Sequence, residues 1–347
     1  MDANYPFDVV KDTIKRAFEA IGMDEAKAEV CATVHAQSSA DGIESHGLNR
    51  VPRFVTYVRQ GMVDLAAEPE LVASRGVAEN YDGHRGVGVT NALFCADRAI
   101  ELAREHGIGV VTLRNTTHWM RGGTYAWHMA DAGFMGICWT NTESVMPAWG
   151  SDEQSVGNNP FCIAIPHGDA PVVVDMAMSQ YSYGKLGMLK LAGKKLPYPG
   201  GFDAEGNLSS DPGAIQASRR LLPTGYWKGS SLALALDLAA AMLADGRCGT
   251  DIDAKTEGSC GGCSQVFMAF DPNLFGDEGS SAVMVERRLE ALHSAHPEHE
   301  GDTVAYPGEH TLERRKRSMS EGVHVDGRVW DQVCQIAQGD FEVLDIA

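Results

Sequence analysis

Residues 160–177, PFCIAIPHGDAPVVVDMA, place two apolar runs on either side of a short turn rich in glycine, aspartate and proline. This pattern predicts a β-hairpin, because turn residues between two short apolar runs let the chain reverse and pair with itself. A hairpin excludes a purely parallel, doubly wound sheet, whose neighbouring strands need a crossover of a dozen or more residues. Whatever α/β architecture the chain adopts, it has to contain an antiparallel pair.

The remaining segments alternate in period. Phe7, Val10, Ile14, Phe18 and Ile21 recur at helical spacing, and Gly22 closes that helix. A second helix is expected from the N-capping Asp24 towards Ala40. Pro52 lacks the N–H that a helix interior needs, so the helix carrying VPRFVTYVRQG is expected to start near Asn49. His46 then sits at or just before its N-terminus, and Arg50 in its first turn.

From about residue 73, strands and helices alternate. TNALFCADRAIELAREHG is a helix capped by Thr90 and stopped by Gly107, IGVVTL a strand, TYAWHMADAG a helix and GICWTN a strand. KGSSLALALDLAAAMLADG is a helix and SQVFMAF the final strand; residues 281–338 return to helical spacing. The expected division is a helical segment over 1–72, a mixed-sheet region over 73–280, and a helical segment over 281–347 that packs on the first helices. GVGVTN (Gly86–Asn91) is the nearest approach to a dinucleotide-binding glycine fingerprint. It lacks the third glycine, and no acidic residue ends a second strand at the right distance, so it is read as a turn before a helix.

The formal net charge of −18 opposes binding to nucleic acid or to an anionic membrane face. An anionic small molecule therefore needs a local positive site. The chain opens without a basic segment followed by an apolar core, and its most apolar run, Leu232–Ala244, is short and interrupted by Asp237. A cytoplasmic protein is expected, with its eight cysteines as thiols.

ESHGLNR (Glu44–Arg50) holds an imidazole and a guanidinium four residues apart. Histidine suits proton transfer because its pKa lies near neutral pH. Arginine suits a carboxylate because its planar fork makes two parallel hydrogen bonds. On their own, two such residues are more often structural or exposed than functional.

Five segments change that balance: SHGLNRVPRF (Ser45–Phe54), RNTTHWMRGGTYAW (Arg114–Trp127), GICWTNTESVMPAWG (Gly136–Gly150), VDMAMSQYSYGKL (Val174–Leu186) and LLPTGYWKGSS (Leu221–Ser231). Together they resemble the malate/L-lactate dehydrogenase family of NAD(P)-dependent oxidoreductases, over roughly Phe7 to Ala337. HWMRGG and GYWKG are most similar to members that reduce sugar-derived 2-keto acids. The resemblance implies an α/β fold with a mixed, largely antiparallel sheet flanked by helices, L-sulfolactate dehydrogenase-like and not a Rossmann fold. It also implies a homodimer, with a keto acid as the small-molecule partner.

The resemblance gives His46 the acid/base role and makes Ser45 and Arg50 substrate contacts. His118 is the rival, since in some relatives the matching histidine takes that role; a hydrogen-bonded structural histidine is the competing reading. Arg121 is either a substrate contact or a surface salt bridge. Asp175 ends the strand VVVDMAMS, where a carboxylate beside His46 is expected to raise the imidazole's pKa. Asn158 stands where the family usually has threonine, and is expected to contact substrate. The cofactor is expected along Asp175, Met176, Ala177, Met178, Ser179, Gln180 and Tyr181, at Trp227 and Lys228, and at Gly308, Glu309 and His310. Lys228 is expected to precede a helix N-terminus capped by Ser230, which suits a pyrophosphate. No arginine cluster awaits a 2′-phosphate, which favours NADH over NADPH.

Two other groupings carry less weight. Cys260 and Cys263 form a C-x-x-C without two further ligands and are read as incidental thiols. His293, His296 and His299 recur every three residues and, as a zinc site, would mark a metal-dependent hydrolase. Pro297 breaks their helical spacing, so a solvated helix end is the preferred reading and no metal is expected.

Overall fold

A computed structural model describes residues 2–344. Three helices open the chain: α1 (Phe7–Ala20), α2 (Glu25–Ala40) and α3 (Val51–Arg59). Asp24 caps α2, its carboxylate accepting from the Ala26 and Lys27 N–H groups. Two short 3-10 turns, Glu44–His46 and Leu48–Arg50, precede α3, so Arg50 flanks the helix instead of lying in its first turn.

The central sheet has seven strands: β1 (Glu70–Arg75), β2 (Ala78–Asp82), β3 (Ile108–Thr116), β4 (Met135–Thr140), β5 (Phe161–Ile165), β6 (Val172–Met176) and β7 (Cys263–Phe270). Their spatial order is β1-β2-β3-β7-β4-β5-β6. Only β2 and β3 run parallel; every other neighbouring pair is antiparallel. The opening hairpin is present as β5 and β6, with Phe161 opposite Met176 and Ile165 opposite Val172. The sheet is therefore mixed and largely antiparallel.

Strand alternation feeds two cores. On one face Cys138, Ala164 and Phe267 pack with Ala96 and Ile100 of α4 (Gly88–His106) and with Tyr125 and Met129 of α5 (Gly123–Asp131). On the other, Trp139 and Val266 meet Leu186 of α6 (Tyr183–Leu191) and Ala233, Leu236 and Ala240 of α7 (Trp227–Ala244). Three later helices are α8 (Ser280–His293), α9 (Glu309–Glu321) and α10 (Gly327–Ile336). α10 packs on α1 and α3, and α9 on α2. A third core of Val10, Ile14, Phe18, Phe54, Val333 and Ile336 joins the two ends of the chain.

Two caps differ from expectation. α4 begins at Gly88, so Thr90 lies inside its first turn, where its hydroxyl donates to the Val87 carbonyl. α7 begins at Trp227 after Tyr226, whose φ is +63°; Ser230 instead accepts a hydrogen bond from the Trp149 N–H. No helix among the described residues is long and apolar enough to cross a membrane.

Candidate active site

Two loops bring the histidines together. The first is the Glu44–His46 turn, seated by Gly47: a Cβ there would stand 2.1 Å from the Ser39 hydroxyl oxygen. The second follows β3 and carries His118. It lies against the start of α4, where a Cβ at Gly88 would stand 2.3 Å from the His118 carbonyl oxygen. The second glycine of GVG thus serves close packing. The rings of His46 and His118 stack with centroids 5.7 Å apart and planes inclined by 18°. Both line a cavity of about 380 Å³.

Their remaining partners differ. The Ser45 hydroxyl is 2.9 Å from His46 Nδ1. His118 Nδ1 accepts a hydrogen bond from the Met120 N–H at 2.9 Å, and Met120 takes a left-handed φ of +64° to deliver it. Desolvation, aided by the nearby Arg50 charge, pushes His46 down to about 4 and His118 well below its ordinary value. Asp175 acts on His46 in the expected upward direction, but burial and Arg50 outweigh it.

Asp175 is the penultimate residue of β6, on the cavity wall, with 24% of its side chain exposed. Arg121 Nε donates to its Oδ2 at 3.1 Å, and the Cys162 thiol donates to its Oδ1 at 3.3 Å. Gly123 lets the carboxylate approach, since a Cβ there would lie 2.4 Å from Oδ2. Arg121 is not a surface salt bridge. It is 6% exposed, and its Nη1 donates to Asp41, which is fully buried and also takes two hydrogen bonds from Arg315. Burial alone would raise the Asp41 carboxyl; Arg315 and Arg121 outweigh it and hold the carboxyl below its usual range. Two of the three Arg121 guanidinium nitrogens are thus committed to carboxylates.

Arg50 also differs from expectation. It does not line the cavity; the 3-10 turn leading into α3 leaves it among Arg53, Tyr57, Glu143 and Cys260, with a buried Nε that has no hydrogen-bond partner. Asn158 does line the cavity, its Oδ1 accepting from the Thr142 hydroxyl at 3.2 Å. Ser45 lines it too.

The segments expected to hold the cofactor lie at opposite ends of β6, Gly308 beside its start and the loop before α7 beside the chain past its end. Val173 donates to the Pro307 carbonyl at 2.8 Å, and Gly308, with φ +100°, lies against the same strand. Thr224 donates to the Met178 carbonyl at 2.8 Å, and Gln180 to Leu222 at 2.7 Å. Met176 is exposed, Ala177 lines the cavity, Met178 and Ser179 are buried and Tyr181 is half-buried. The Ser179 hydroxyl is buried without a hydrogen-bond partner, a polar group left for a ligand. Trp227 is 58% exposed and so is no core residue, and Lys228 is exposed in the first turn of α7. Glu309 accepts from the Tyr306 N–H and pairs with His293, while His310 pairs with Glu313. An orphan hydroxyl, exposed aromatic surface and a cation at a helix start suit a dinucleotide.

Burial pushes the Cys260 thiol up to about 11 and Cys263 well above its ordinary value, so neither is a ready thiolate. Among the described residues no group of three or more His, Cys, Asp or Glu side chains is arranged to hold a metal, and His293 is instead paired with Glu309.

The sequence reading did not single out Lys185 on α6 and Arg314 on α9. Both line the cavity, and neither forms an ion pair among the described residues. A signal existed for Arg314, four residues and so one helical turn beyond His310. Cys162 and the Asp41–Arg315 contact gave none.

Residues 5–334 match the family model described as malate/L-lactate dehydrogenase. The chain is 40% identical to the 2,3-diketo-L-gulonate reductase of Citrobacter koseri over 94% of this chain and 98% of that one. Its fold is similar to that of malate dehydrogenase from Entamoeba histolytica, with a TM-score of 0.92 and 23% identity over 97% of this chain and 98% of that one. It is also similar to sulfolactate dehydrogenase from Methanocaldococcus jannaschii, with a TM-score of 0.85 and 25% identity over 98% and 97% of the two chains. With its mixed sheet and its paired histidines, the chain belongs to the malate/L-lactate dehydrogenase family of oxidoreductases.

Proposed function

We propose that the protein is a cytoplasmic, NADH-dependent reductase of a 2-keto acid, with 2,3-diketo-L-gulonate reduced to 3-keto-L-gulonate as the leading substrate. The observation that carries this reading is the stacked His46–His118 pair facing a cavity that Asp175 and Ala177 of the expected cofactor segment also line. The 40% identity to a diketogulonate reductase supports the choice of acid. Bound NADH supplies the hydride.

His46 gives the proton to the carbonyl oxygen. In the free protein its imidazole is neutral at pH 7, so a proton has to arrive with the substrate. A carboxylate entering the cavity provides the negative charge that favours imidazolium, and substrate binding is coupled to proton uptake. The acid group is met by the positive field of Arg50 and by Lys185 and Arg314 on the wall. Ser45 and Asn158 orient the substrate, and Asp175, fixed by Arg121, keeps a negative charge beside His46.

The active unit is a homodimer. Leu232, Leu234, Leu238, Met242 and Leu243 leave one face of α7 exposed, with Leu71 and Val72 exposed on the edge strand β1. An apolar face of this kind favours burial against a second copy.

The test is a panel of 2-keto acids assayed by NADH and NADPH absorbance: 2,3-diketo-L-gulonate, pyruvate, oxaloacetate, the oxo acid related to ureidoglycolate, and a cyclic imine acid. Preference for one of the other acids keeps the family and moves the substrate. His46→Ala is expected to abolish turnover while NADH still binds; near-normal turnover would remove His46 from the mechanism.

A further inference from the structure

His46 and His118 face one cavity, yet their Nδ1 atoms meet different partners. The Ser45 hydroxyl both donates and accepts, so it can serve His46 as a neutral ring or as an imidazolium. A backbone N–H only donates. Since the Met120 N–H points at His118 Nδ1, that nitrogen has to keep its lone pair, and the ring proton has to sit on Nε2. A second proton on His118 would set two N–H groups against each other.

We propose that His118 is locked as the neutral Nε2–H tautomer and serves the reacting carbonyl oxygen as a fixed hydrogen-bond donor, while His46 alone carries the transferred proton. This rests on the keto-acid reduction proposed above. Met120 is the positioning residue, because its left-handed backbone aims the N–H.

The surrounding charges act in the same sense. Besides desolvation, Arg50, Arg53, His46 and His35 all disfavour a positive charge on His118. His46 faces Arg50, Arg121 and His35 as well, but Asp175 acts on it in the favourable direction. The rings stand 5.7 Å apart, so a proton on His46 further disfavours one on His118.

The step balances with one mobile proton. As the carbonyl carbon accepts hydride, the C=O π pair moves to oxygen, and the growing negative charge draws on the His118 Nε2–H. The new O–H bond takes its proton from protonated His46, which becomes neutral, and His118 keeps its own. A neutral imidazole held in place is an effective electrophile because it needs no reorganisation when the charge develops.

The first test is 15N NMR of the full-length protein labelled at histidine, recorded from pH 8 to pH 5 with and without oxamate, and assigned with His46→Gln and His118→Gln. His118 is expected to remain in the neutral Nε2–H form throughout, and His46 to gain a proton when oxamate binds. A His118 that protonates, or that carries its proton on Nδ1, overturns the proposal. The second is kinetic. His118→Gln keeps an N–H donor but cannot titrate, so its kcat is expected to fall by about tenfold or less. His118→Ala is expected to lose about 100-fold or more. Both are expected to leave the pH profile in place; loss of its pH-dependent limb in either variant makes His118 the proton carrier. Turnover surviving in His46→Ala overturns the proposal as well; failure of the underlying reading shows separately, as no keto acid of the panel oxidising NADH or NADPH with the unaltered protein.

Discussion

Asp41 at the end of α2 and Arg315 on α9 stand 274 residues apart in sequence and share two hydrogen bonds, of 2.8 and 2.9 Å. Through Arg121 the same carboxylate reaches Asp175 on the cavity wall. The chain's two ends are thus tied to each other and to the candidate active site by four linked charges, of which Asp41 and Arg121 are buried. Asp41→Asn leaves two arginines short of a counter-ion and is expected to destabilise the fold by about 3–5 kcal/mol. Urea denaturation followed by circular dichroism measures this.

Acid is expected to weaken the fold. His35 is buried and pushed down to about 4, so between pH 6.5 and 4 the unfolded chain binds a proton that the folded chain does not. Stability from this group is complete above its unfolded pKa and is lost as pH falls towards 4, a contribution on the order of 3 kcal/mol. Asp41, held below its usual range, adds to the loss at still lower pH. Thermal melts from pH 8 to pH 4 are expected to show a falling Tm; a flat profile would contradict the burial of His35.

Removing the unpaired cations on the wall tests substrate capture. Lys185→Met and Arg314→Met are each expected to raise KM for a keto acid about tenfold, equivalent to about 1.4 kcal/mol, with kcat changed less than twofold. Steady-state kinetics at two salt concentrations checks this, since added salt is expected to weaken the native protein more than the double variant.

Asp175→Asn removes the one negative charge that favours imidazolium at His46. The proposed reduction needs the protonated ring, so its rate is expected to fall as pH rises through the His46 pKa. Lowering that pKa moves the fall to lower pH and reduces activity at pH 7. A pH profile of kcat/KM that superimposes on that of the unaltered protein would separate Asp175 from proton transfer.

The dimer has its own test. Leu238→Glu puts a charge on the exposed apolar face of α7. Analytical ultracentrifugation is expected to show dimer for the native chain and monomer for the variant.

Local pattern predicted most of what the chain builds. Helical spacing located α1, the Asp24 cap located α2, and the turn chemistry of residues 166–171 located the hairpin. β1 escaped because ELVASR is exposed at every position and so has no alternation to detect. The pairing of residues 3–5 with 323–325 escaped because each partner is three residues long and the contact is remote. In the site, His46 and His118 stood out through the motifs around them. Arg50 did not reach the cavity because a 3-10 turn, which sequence spacing does not distinguish from a helical first turn, re-aims it. Asp41 carried no signal in the sequence, because only the folded chain supplies its two arginines.

β7 hydrogen-bonds to β3 on one side and β4 on the other, so a strand made late in synthesis is the middle of the sheet. Until residue 270 has left the ribosome, the earlier strands form two separate ribbons, each with an unpaired edge that would invite association with other nascent chains. A chain cut short anywhere ahead of that strand is left with those two ribbons and has no route to a finished sheet.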